Sequence, residues 1–474
     1  MPATVALVLW VIALIALLRF DPSRDSVPRA IWIPVLWMFF NQSRLPSQWL
    51  GKRGLVEAAL EEGSGVDRFI LFGFILLMVF ILLRRSFQWG EFFSRNLFLT
   101  ALLLYTLVSF VWSDFPAVAF KRWIRDLGNY LVILVVLTEA QPLEAVGVFF
   151  RRLFYALIPL SILLIRYYPH MGIHYGFWNG MPEYVGGATS KNTLGAVCML
   201  GGIFFLWDTV RRWADRKDRQ VKRILLINAA FFMMAFWLLR LSSSATSLVC
   251  YLFGCMVVLV YTTWGKHHLA LFKFGLPAFF FAYLILSSFG LQELVAYQLG
   301  RDVTLTGRTH IWESVLSIGT NPLFGTGYDT FWLGPRLHQV WSLAGPLNQA
   351  HNGYLEFYLN LGIVGLFLLV GLLIISYKSI CKNLTQGQAL ASLAAAFWTL
   401  GLFYNITEAS FKPSFMCLSF LWGAIVIPER KVSQGVQRPL RARPLPQTGS
   451  SRIVPKWAEV NRMRQQGTLK PDHD

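Results

Sequence analysis

The sequence is poor in charged residues. Only 14% of its 474 residues are Asp, Glu, Lys or Arg and 55% are hydrophobic, whereas ordinary soluble domains carry about 25% charged residues. Because a chain of this composition cannot cover a water-facing surface with polar side chains, a soluble enzyme is excluded. The charges are also unbalanced, since 43 Lys and Arg against 25 Asp and Glu give a net charge of +18.

Cysteine is scarce as well. The five cysteines lie in or beside apolar runs, with no Cys-x-x-Cys pair and no Cys/His metal spacing. An odd number excludes a fully paired disulfide framework. The first apolar run has no basic stretch before it and no small-residue cleavage site after Leu18, so we expect a retained span and not a cleaved signal peptide.

Apolar runs, in contrast, are numerous. A membrane-spanning helix needs ~20 mostly apolar residues to cross ~30 Å of hydrocarbon. Charge-free candidates occur at 3–18, 30–43, 69–83, 96–113, 127–138, 153–165, 192–207, 224–239, 241–265, 274–292, 357–377, 383–407 and 413–428. The run 30–43 is short, so a re-entrant or interfacial segment is an alternative there. The sequence therefore predicts an all-α polytopic membrane protein with 12 or 13 transmembrane helices.

Basic loops orient these helices, because cytoplasmic loops carry an excess of Lys and Arg. The segment 207–223 holds seven basic residues and is predicted to be cytoplasmic, like the tail from Arg430. Alternation of the spans then places four stretches on the outer face: 114–126, 166–191, 240–245 and the long loop 293–352. The N-terminus is inside with 12 spans and outside with 13.

Two segments outside the apolar runs differ in character. The loop 293–352 has helical spacing at 309–318 and turn-rich sequence at 321–328, so we expect it to fold over the membrane face. Beyond residue 428 the chain is rich in Pro, Arg and Gln and cannot bury a core. The predicted organisation is a polytopic membrane domain, 1–428, followed by a disordered basic cytoplasmic tail, 429–474.

The outer stretches contain more basic residues than their orientation predicts. They are Lys121, Arg122, Arg125, Arg166, Lys191, Arg240, Arg301, Arg308 and Arg336. For Arg166, Arg301 and Arg336 we prefer the ordinary explanation, an arginine that snorkels from a helix end. The others together suit a phosphate-bearing, membrane-embedded substrate, because Arg and Lys bind phosphate oxygens.

Acidic residues on this face are scattered and form no DxD or paired-carboxylate motif, which disfavours a metal-dependent phosphate site. We therefore expect neither a metal nor another cofactor. Among the histidines, His351 differs because it ends the long loop and begins the apolar helix after it. Such a histidine ordinarily caps the helix or packs; the alternative is a general base near neutral pH. Asp302 and Glu313 are rival bases.

Three motifs lie in and beside the long loop. His351 and Asn352 are followed after nine residues by Gly362 and then, after two more, by Gly365. GRTHIW (307–312) precedes NPLFGTGYDTF (321–331), and SKNTLG occupies 190–195. These motifs resemble the HN(x9)GxxG signature, the long-loop motif and the HKN-x-LG element of the O-antigen ligase/O-antigen polymerase superfamily of bacterial envelope glycan transferases. The stretches 33–50 and 111–128 are similar to a subgroup of polymerases and exopolysaccharide-production proteins, and the resemblance covers about residues 1–428.

The resemblance implies a transferase that takes a glycan from undecaprenyl diphosphate on the periplasmic face of the bacterial inner membrane, without metal or nucleotide. Matched by position, it implies that His351, Arg308 and Lys191 are catalytic. Its further motif residues are Gly307, Asn192, Asn352, Gly362 and Gly365. The remaining outer basic residues are candidates for binding the diphosphate: Arg240, Lys121, Arg122 and Arg125.

Two departures from the family pattern affect this prediction. Ser190 stands where the family usually has His, and SSSATS (242–247) lacks the Arg that many members have after the serines. Arg240, two residues earlier, is a candidate to compensate. Aromatic residues of 167–178, Trp332 or Trp341 are candidates to stack on sugar faces.

The hypothesis is that the protein transfers a glycan to a sugar hydroxyl with inversion at the anomeric carbon. We expect the protein to lie in a lipid bilayer and not to bind nucleic acid. In a polymerase the acceptor is another lipid-linked repeat, and in a ligase it is lipid A–core; the flanking stretches favour the polymerase. A flippase or transporter of lipid-linked glycans is the alternative from another class. It should show intramembrane charged pairs and repeat symmetry, and the sequence reveals neither.

Overall fold

A computed structural model describes residues 1–21, 27–51, 64–85, 87–176, 180–264, 269–288, 308–411, 422–423 and 425–427. Within these ranges the protein is almost entirely helical, and its strands form one two-stranded antiparallel sheet, in which Ile173 pairs with Tyr184. The predicted all-α polytopic class is confirmed. The division at residue 428 stays a prediction, since the tail lies outside the described residues.

The elements follow one another in chain order. The helices of the first half are α1 (Ala3–Arg19), α2 (Trp32–Gln42), α3 (Pro46–Trp49), α4 (Gly65–Arg84), α5 (Trp89–Arg95), α6 (Leu97–Val108), α7 (Pro116–Leu137), α8 (Pro142–Tyr167) and α9 (Pro169–Gly172). The strands β1 (Ile173–Tyr175) and β2 (Pro182–Tyr184) come next. The later helices are α10 (Lys191–Arg212), α11 (Arg219–Leu241), α12 (Ala245–Trp264), α13 (Leu269–Ser288), α14 (Arg308–Ser317), α15 (Gly334–Ala344), α16 (Gly353–Thr385) and α17 (Ala389–Thr407).

Seven helices of the described ranges are long and apolar enough to cross a membrane. They are α4, α8, α10, α11, α12, α16 and α17. The pair α5 and α6, bent by 96°, makes an eighth if it forms one broken span. This number is below the expected 12 or 13, because α1 has 17 residues and α2 only 11, while α7 carries three basic residues in its first half. Most of the candidate run 413–428 lies outside the described residues.

The core lies around α8, α10 and α17, the most buried of these helices. Phe150 and Phe154 of α8 pack on Phe204 of α10, with ring centroids 5.3 and 6.1 Å apart. Glycine permits a close approach on the other side of α10, since a Cβ on Gly202 would lie 2.5 Å from the Tyr251 ring. These contacts hold α10 between α8 and α12.

The two ends of α10 have different surroundings. Asn192 and Asp208 lie 16 positions apart on this helix, or roughly 24 Å at 1.5 Å per residue, which is close to the thickness of a bilayer core. Segments predicted to lie on the outer face meet near Asn192. Segments predicted to be cytoplasmic meet near Asp208, where Arg211 pairs with Glu144.

Candidate functional site

The carboxyl group of Glu408, directly after α17, gathers three of the sequence-predicted side chains. Its Oε1 accepts a hydrogen bond from Nδ2 of Asn192 at 3.1 Å and pairs with Nη2 of Arg308 at 3.0 Å. Its Oε2 lies 3.4 Å from Nδ1 of His351. Glu408 is 5% exposed, and a buried carboxylate requires such partners. These four residues are called the Glu408 cluster below.

His351 is held at the start of α16 by its two successors. Asn352 is the N-cap, and its Oδ1 accepts from the N–H groups of Tyr354 and Leu355 at 3.0 and 3.1 Å. Gly353 leaves room for α17, since a Cβ there would lie 2.0 Å from Oδ1 of Asn405. Because Asn352 makes the cap, the His351 ring does not have to. The backbone of His351 lies in the left-handed region, with φ +51°, which costs of order 1–3 kcal/mol for a non-glycine residue.

The position of Glu408 decides which nitrogen of His351 can act as a base. A carboxylate beside Nδ1 favours the tautomer that carries its proton there, which leaves the lone pair on Nε2. Nε2 of Gln349 lies 3.5 Å from the same Nδ1. The His351 side chain is 22% exposed, so a substrate can reach it. This arrangement is suited to general-base chemistry.

Arg308, at the start of α14, is fixed by the end of α17. Besides its pair with Glu408, it donates a hydrogen bond to the backbone carbonyl of Thr407. A guanidinium has five N–H donors, so further donors remain for a substrate. The hydroxyl of Thr407 in turn lies 2.9 Å from that of Thr246. The stretch 242–247 is thereby attached to the Glu408 cluster.

The serine-rich stretch also packs on α10. A Cβ on Gly195 would lie 2.7 Å from Oγ of Ser247, so this glycine allows the two segments to touch. Ser244 and Ser247 share a hydrogen bond of 2.9 Å. SKNTLG and SSSATS, which are about 50 positions apart, therefore form one packed unit beside Glu408.

The turn 321–328 of the long loop packs against the break of α16 at Gly362. Gly362, with φ +63°, interrupts α16, and a Cβ there would lie 2.2 Å from the carbonyl oxygen of Leu323. The N–H groups of Ile363 and Val364, which the break releases, donate to the carbonyls of Pro322 and Leu323 at 2.9 and 3.2 Å. The turn 321–328 thus completes the helix backbone at its break, which explains why only glycine fits at Gly362.

Three other predicted residues lie apart from the Glu408 cluster. Ser190 is the N-cap of α10, since its Oγ accepts from the N–H of Thr193 at 3.1 Å. Nζ of Lys191 pairs with Oε1 of Glu183 on β2 at 2.7 Å. Arg240 is exposed in the last turn of α11. Gly307 lies outside the described residues. The catalytic and binding roles of these residues stay predictions.

Two residues of α7, Arg122 and Asp126, contact the segment 321–331. Arg122 donates to the backbone carbonyl of Asp329 and lies 3.3 Å from its carboxylate. Arg125 pairs with Asp126 at 3.0 Å, and Asp126 also accepts from the hydroxyl of Tyr328 at 3.0 Å. Burial, with the neighbouring carboxylate, raises the pKa of Tyr328, so its hydroxyl stays a donor.

Buried carboxylates are the feature that sequence reasoning missed. Glu408 was visible only as one of several scattered acidic residues on the outer face. Glu356, 2% exposed, accepts from the indole N–H of Trp332 at 2.9 Å and from the N–H of Ala350 at 2.6 Å. Trp332 is itself buried by this contact, so it is excluded as a sugar-stacking residue. Of the rival bases, Glu313 is exposed on α14 and Asp302 lies outside the described residues.

A second ionic cluster lies at the other end of α10. Asp208 accepts from Arg211, Arg212 and Asn228 at 2.8–3.1 Å. Arg151 of α8 lies between Asp208 and Asp21, at 3.7 and 3.1 Å. These residues are called the Asp208 cluster. Buried charged pairs thus join two helices that are long and apolar enough to span a membrane, a feature that the sequence did not reveal.

The fold and this site define an all-α integral membrane protein with a His–Glu–Arg cluster at one end of its helix bundle. Residues 229–370 match the family model described as O-Antigen ligase. The exopolysaccharide production protein ExoQ of Rhizobium meliloti (strain 1021) is 23% identical over 378 residues, which cover 75% of this chain and 82% of that protein. Both matches support the O-antigen ligase/O-antigen polymerase superfamily, which the motifs of the chain resemble. His351 and Arg308 lie inside the matched region, and Glu408 lies outside it.

Proposed function

We propose that the protein is a glycan polymerase that transfers a glycan from undecaprenyl diphosphate to a sugar hydroxyl, on the periplasmic face of the bacterial inner membrane. The match to the family model and the similarity to ExoQ support a role of ligase or polymerase type in polysaccharide synthesis. The observation that carries the proposal is the contact of His351 and Arg308 with one buried carboxylate, that of Glu408.

The proposed reaction is a direct displacement with inversion. The acceptor hydroxyl oxygen attacks the anomeric carbon, Nε2 of His351 takes the hydroxyl proton, and the bond from that carbon to the diphosphate oxygen breaks. The diphosphate leaves with the electron pair, and Glu408 stabilises the imidazolium that forms. General-base help contributes ~10²–10⁴-fold, and the reaction needs no metal because cationic side chains offset the charge of the leaving group.

Arg308 is the donor best placed to stabilise the departing diphosphate, because Glu408 and Thr407 hold its guanidinium beside His351. Loss of one such preorganised donor typically costs ~10²–10³-fold in rate. Lys191 and Arg240 are further candidates from neighbouring elements. Lys191 would have to exchange its pair with Glu183 for the substrate, and its side chain is 39% exposed in that pair.

Two acceptors are compatible with this chemistry. A second lipid-linked repeat is favoured by the similarity to an exopolysaccharide production protein. Lipid A–core is favoured by the description of the matching family model as O-Antigen ligase. We place the polymerase first, because the stretches 33–50 and 111–128 also resemble polymerases, and the ligase second.

The test is reconstitution of the purified chain in proteoliposomes with a lipid-linked oligosaccharide, with and without lipid A–core. We expect chain growth without lipid A–core. Transfer only in its presence would make the protein a ligase, and no transfer under either condition would overturn the proposed function.

His351→Ala should lower turnover ~10²–10⁴-fold without loss of the folded protein. His310→Ala is the matched control, because His310 is exposed on α14, and it should leave turnover unchanged. Equal turnover of His351→Ala and the wild type would overturn the assignment of the base.

A further inference from the structure

The basic residues of α7 line a cavity that shares none of its lining residues with the Glu408 cluster. It lies between α4 and α7 and has a volume of about 470 Å³. This volume is within the ~300–1,000 Å³ typical of small-molecule sites. Some of the basic residues predicted on the outer face thus lie at this cavity and not at the Glu408 cluster. The sequence did not distinguish the two groups.

The walls of this cavity are apolar and its charge is mainly positive. Phe69, Phe72 and Ile75 of α4 face Val118 and Ile124 of α7 across it. Its charged residues are four basic ones and one acidic one: Arg68, Lys121, Arg122, Arg125 and Asp67. An apolar tail carrying an anionic head group is complementary to this combination.

Among the described residues, two of the four cations have no partner for their side chains. Arg122 and Arg125 are paired with Asp329 and Asp126, and the Asp67 carboxylate accepts from the N–H and hydroxyl of Ser47 at 2.8 and 2.5 Å. For Arg68 and Lys121, both exposed, the described part of the chain provides no hydrogen-bond or ion-pair partner to the side chain. Arg can bind phosphate oxygens bidentately and Lys as a point charge.

The outward side of α4 is suited to contact with lipid. Phe69 is 83% and Phe72 51% exposed, although both side chains also line the cavity. A long isoprenoid chain could therefore place its first units between α4 and α7 and the rest in the bilayer. Its phosphates would then lie at Arg68 and Lys121.

We infer that this cavity binds the polyprenyl diphosphate of a second lipid-linked glycan, distinct from the one that reacts at His351. The inference rests on the proposed function, since a polymerase joins two lipid-linked substrates whereas a ligase needs one. The contact between Arg122 and Asp329 joins the cavity wall to the segment 321–331, which docks on α16, the helix that begins directly after Asn352. The segment 321–331 thus connects the proposed lipid site in the cavity with the helix that begins beside His351.

The experiment counts bound lipid. Wild-type protein in phosphatidylcholine nanodiscs is titrated with glycan-free undecaprenyl diphosphate, and the bound molecules are counted by native mass spectrometry. We expect two per chain in the wild type and one in the double variant Arg68→Gln/Lys121→Gln. Arg84→Gln is the matched control, because Arg84 is an exposed arginine at the other end of α4, and it should still bind two.

Three results would overturn the inference: one molecule bound to the wild type, two bound to the double variant, or displacement of the second molecule by an equal concentration of phosphatidylglycerol. If the double variant does not fold, the two single variants are titrated instead. Each should weaken the second binding event about tenfold, or ~1.4 kcal/mol, because each loses a charge-assisted hydrogen bond to the diphosphate. The lipid count is independent of turnover. Absence of turnover in the wild type therefore counts against the proposed function, and an unaltered count in the double variant counts against the cavity alone.

Discussion

The two ends of α10 carry two buried ionic clusters that are built alike and exposed differently. In each, one carboxylate accepts from an asparagine and from arginine: Asp208 at one end, Glu408 at the other. In the Asp208 cluster the side chains of Asp21, Arg151 and Asp208 are all 0% exposed, while those of Arg211 and Arg212 at its edge are 16% exposed. In the Glu408 cluster His351 and Arg308 are 22% and 16% exposed.

The difference follows from where the partners lie. Arg151 is an interior residue of α8 and Asp208 lies within α10, so their charges connect helices inside the bundle. His351 and Arg308 lie at the first turns of helices, and Glu408 follows the last turn of α17. Helix ends reach the surface, which allows a substrate to contact the groups held there. We therefore propose that the Asp208 cluster mainly stabilises the fold, whereas the Glu408 cluster takes part in the reaction.

The variant Asp208→Asn tests whether the Asp208 cluster stabilises the fold, and it has the largest expected effect. It leaves Arg151, Arg211 and Arg212 with one carboxylate fewer, and breaking a buried pair costs ~3–5 kcal/mol. We expect a large fall in unfolding free energy, measured by thermal or denaturant unfolding in detergent. Asp215→Asn, at an exposed site seven positions later, should change little. Equal unfolding free energies of the two variants would show that the Asp208 cluster does not stabilise the fold.

The variant Glu408→Gln tests whether the Glu408 cluster, at the other end of α10, assists the reaction. The amide cannot stabilise an imidazolium at His351 as a carboxylate does, and a hydrogen bond to a charged group contributes ~1.5–3 kcal/mol, which corresponds to ~10–100-fold in rate. We expect kcat to fall by that factor while the variant remains folded. Glu313→Gln, exposed on α14, serves as the control. Unchanged kcat in Glu408→Gln would show that the cluster does not assist the reaction.

Ser190→Ala gives the smallest expected effect and concerns the helix that joins both clusters. It removes the N-cap of α10, which is worth about 1 kcal/mol, next to Asn192. Ser190→Asp keeps a capping oxygen and should retain the stability of the wild type in the same unfolding measurement. A full loss in Ser190→Asp as well would mean that Ser190 acts through something other than the cap.

Local features of the sequence predicted a large part of this protein. Apolar runs located the spanning helices α4, α8, α10, α11, α12, α16 and α17, because hydrophobicity is a property of consecutive residues. The HN(x9)GxxG, GRTHIW and SKNTLG motifs singled out His351, Arg308 and Asn192 only through resemblance to a family. Their common partner was missed, because Glu408 lies in no motif and is 57, 100 and 216 positions away from them.

The membrane class and the resemblance to the superfamily were predicted from the sequence, because apolar runs and short motifs consist of residues close together in the chain. Three other features became visible only in the fold: Glu408 binds His351 and Arg308, the turn 321–328 fills the break at Gly362, and the basic residues of α7 line a separate cavity. The physical reason is that charge pairing and close packing act through space. A net charge of +18 therefore gives no information about which cations share a site.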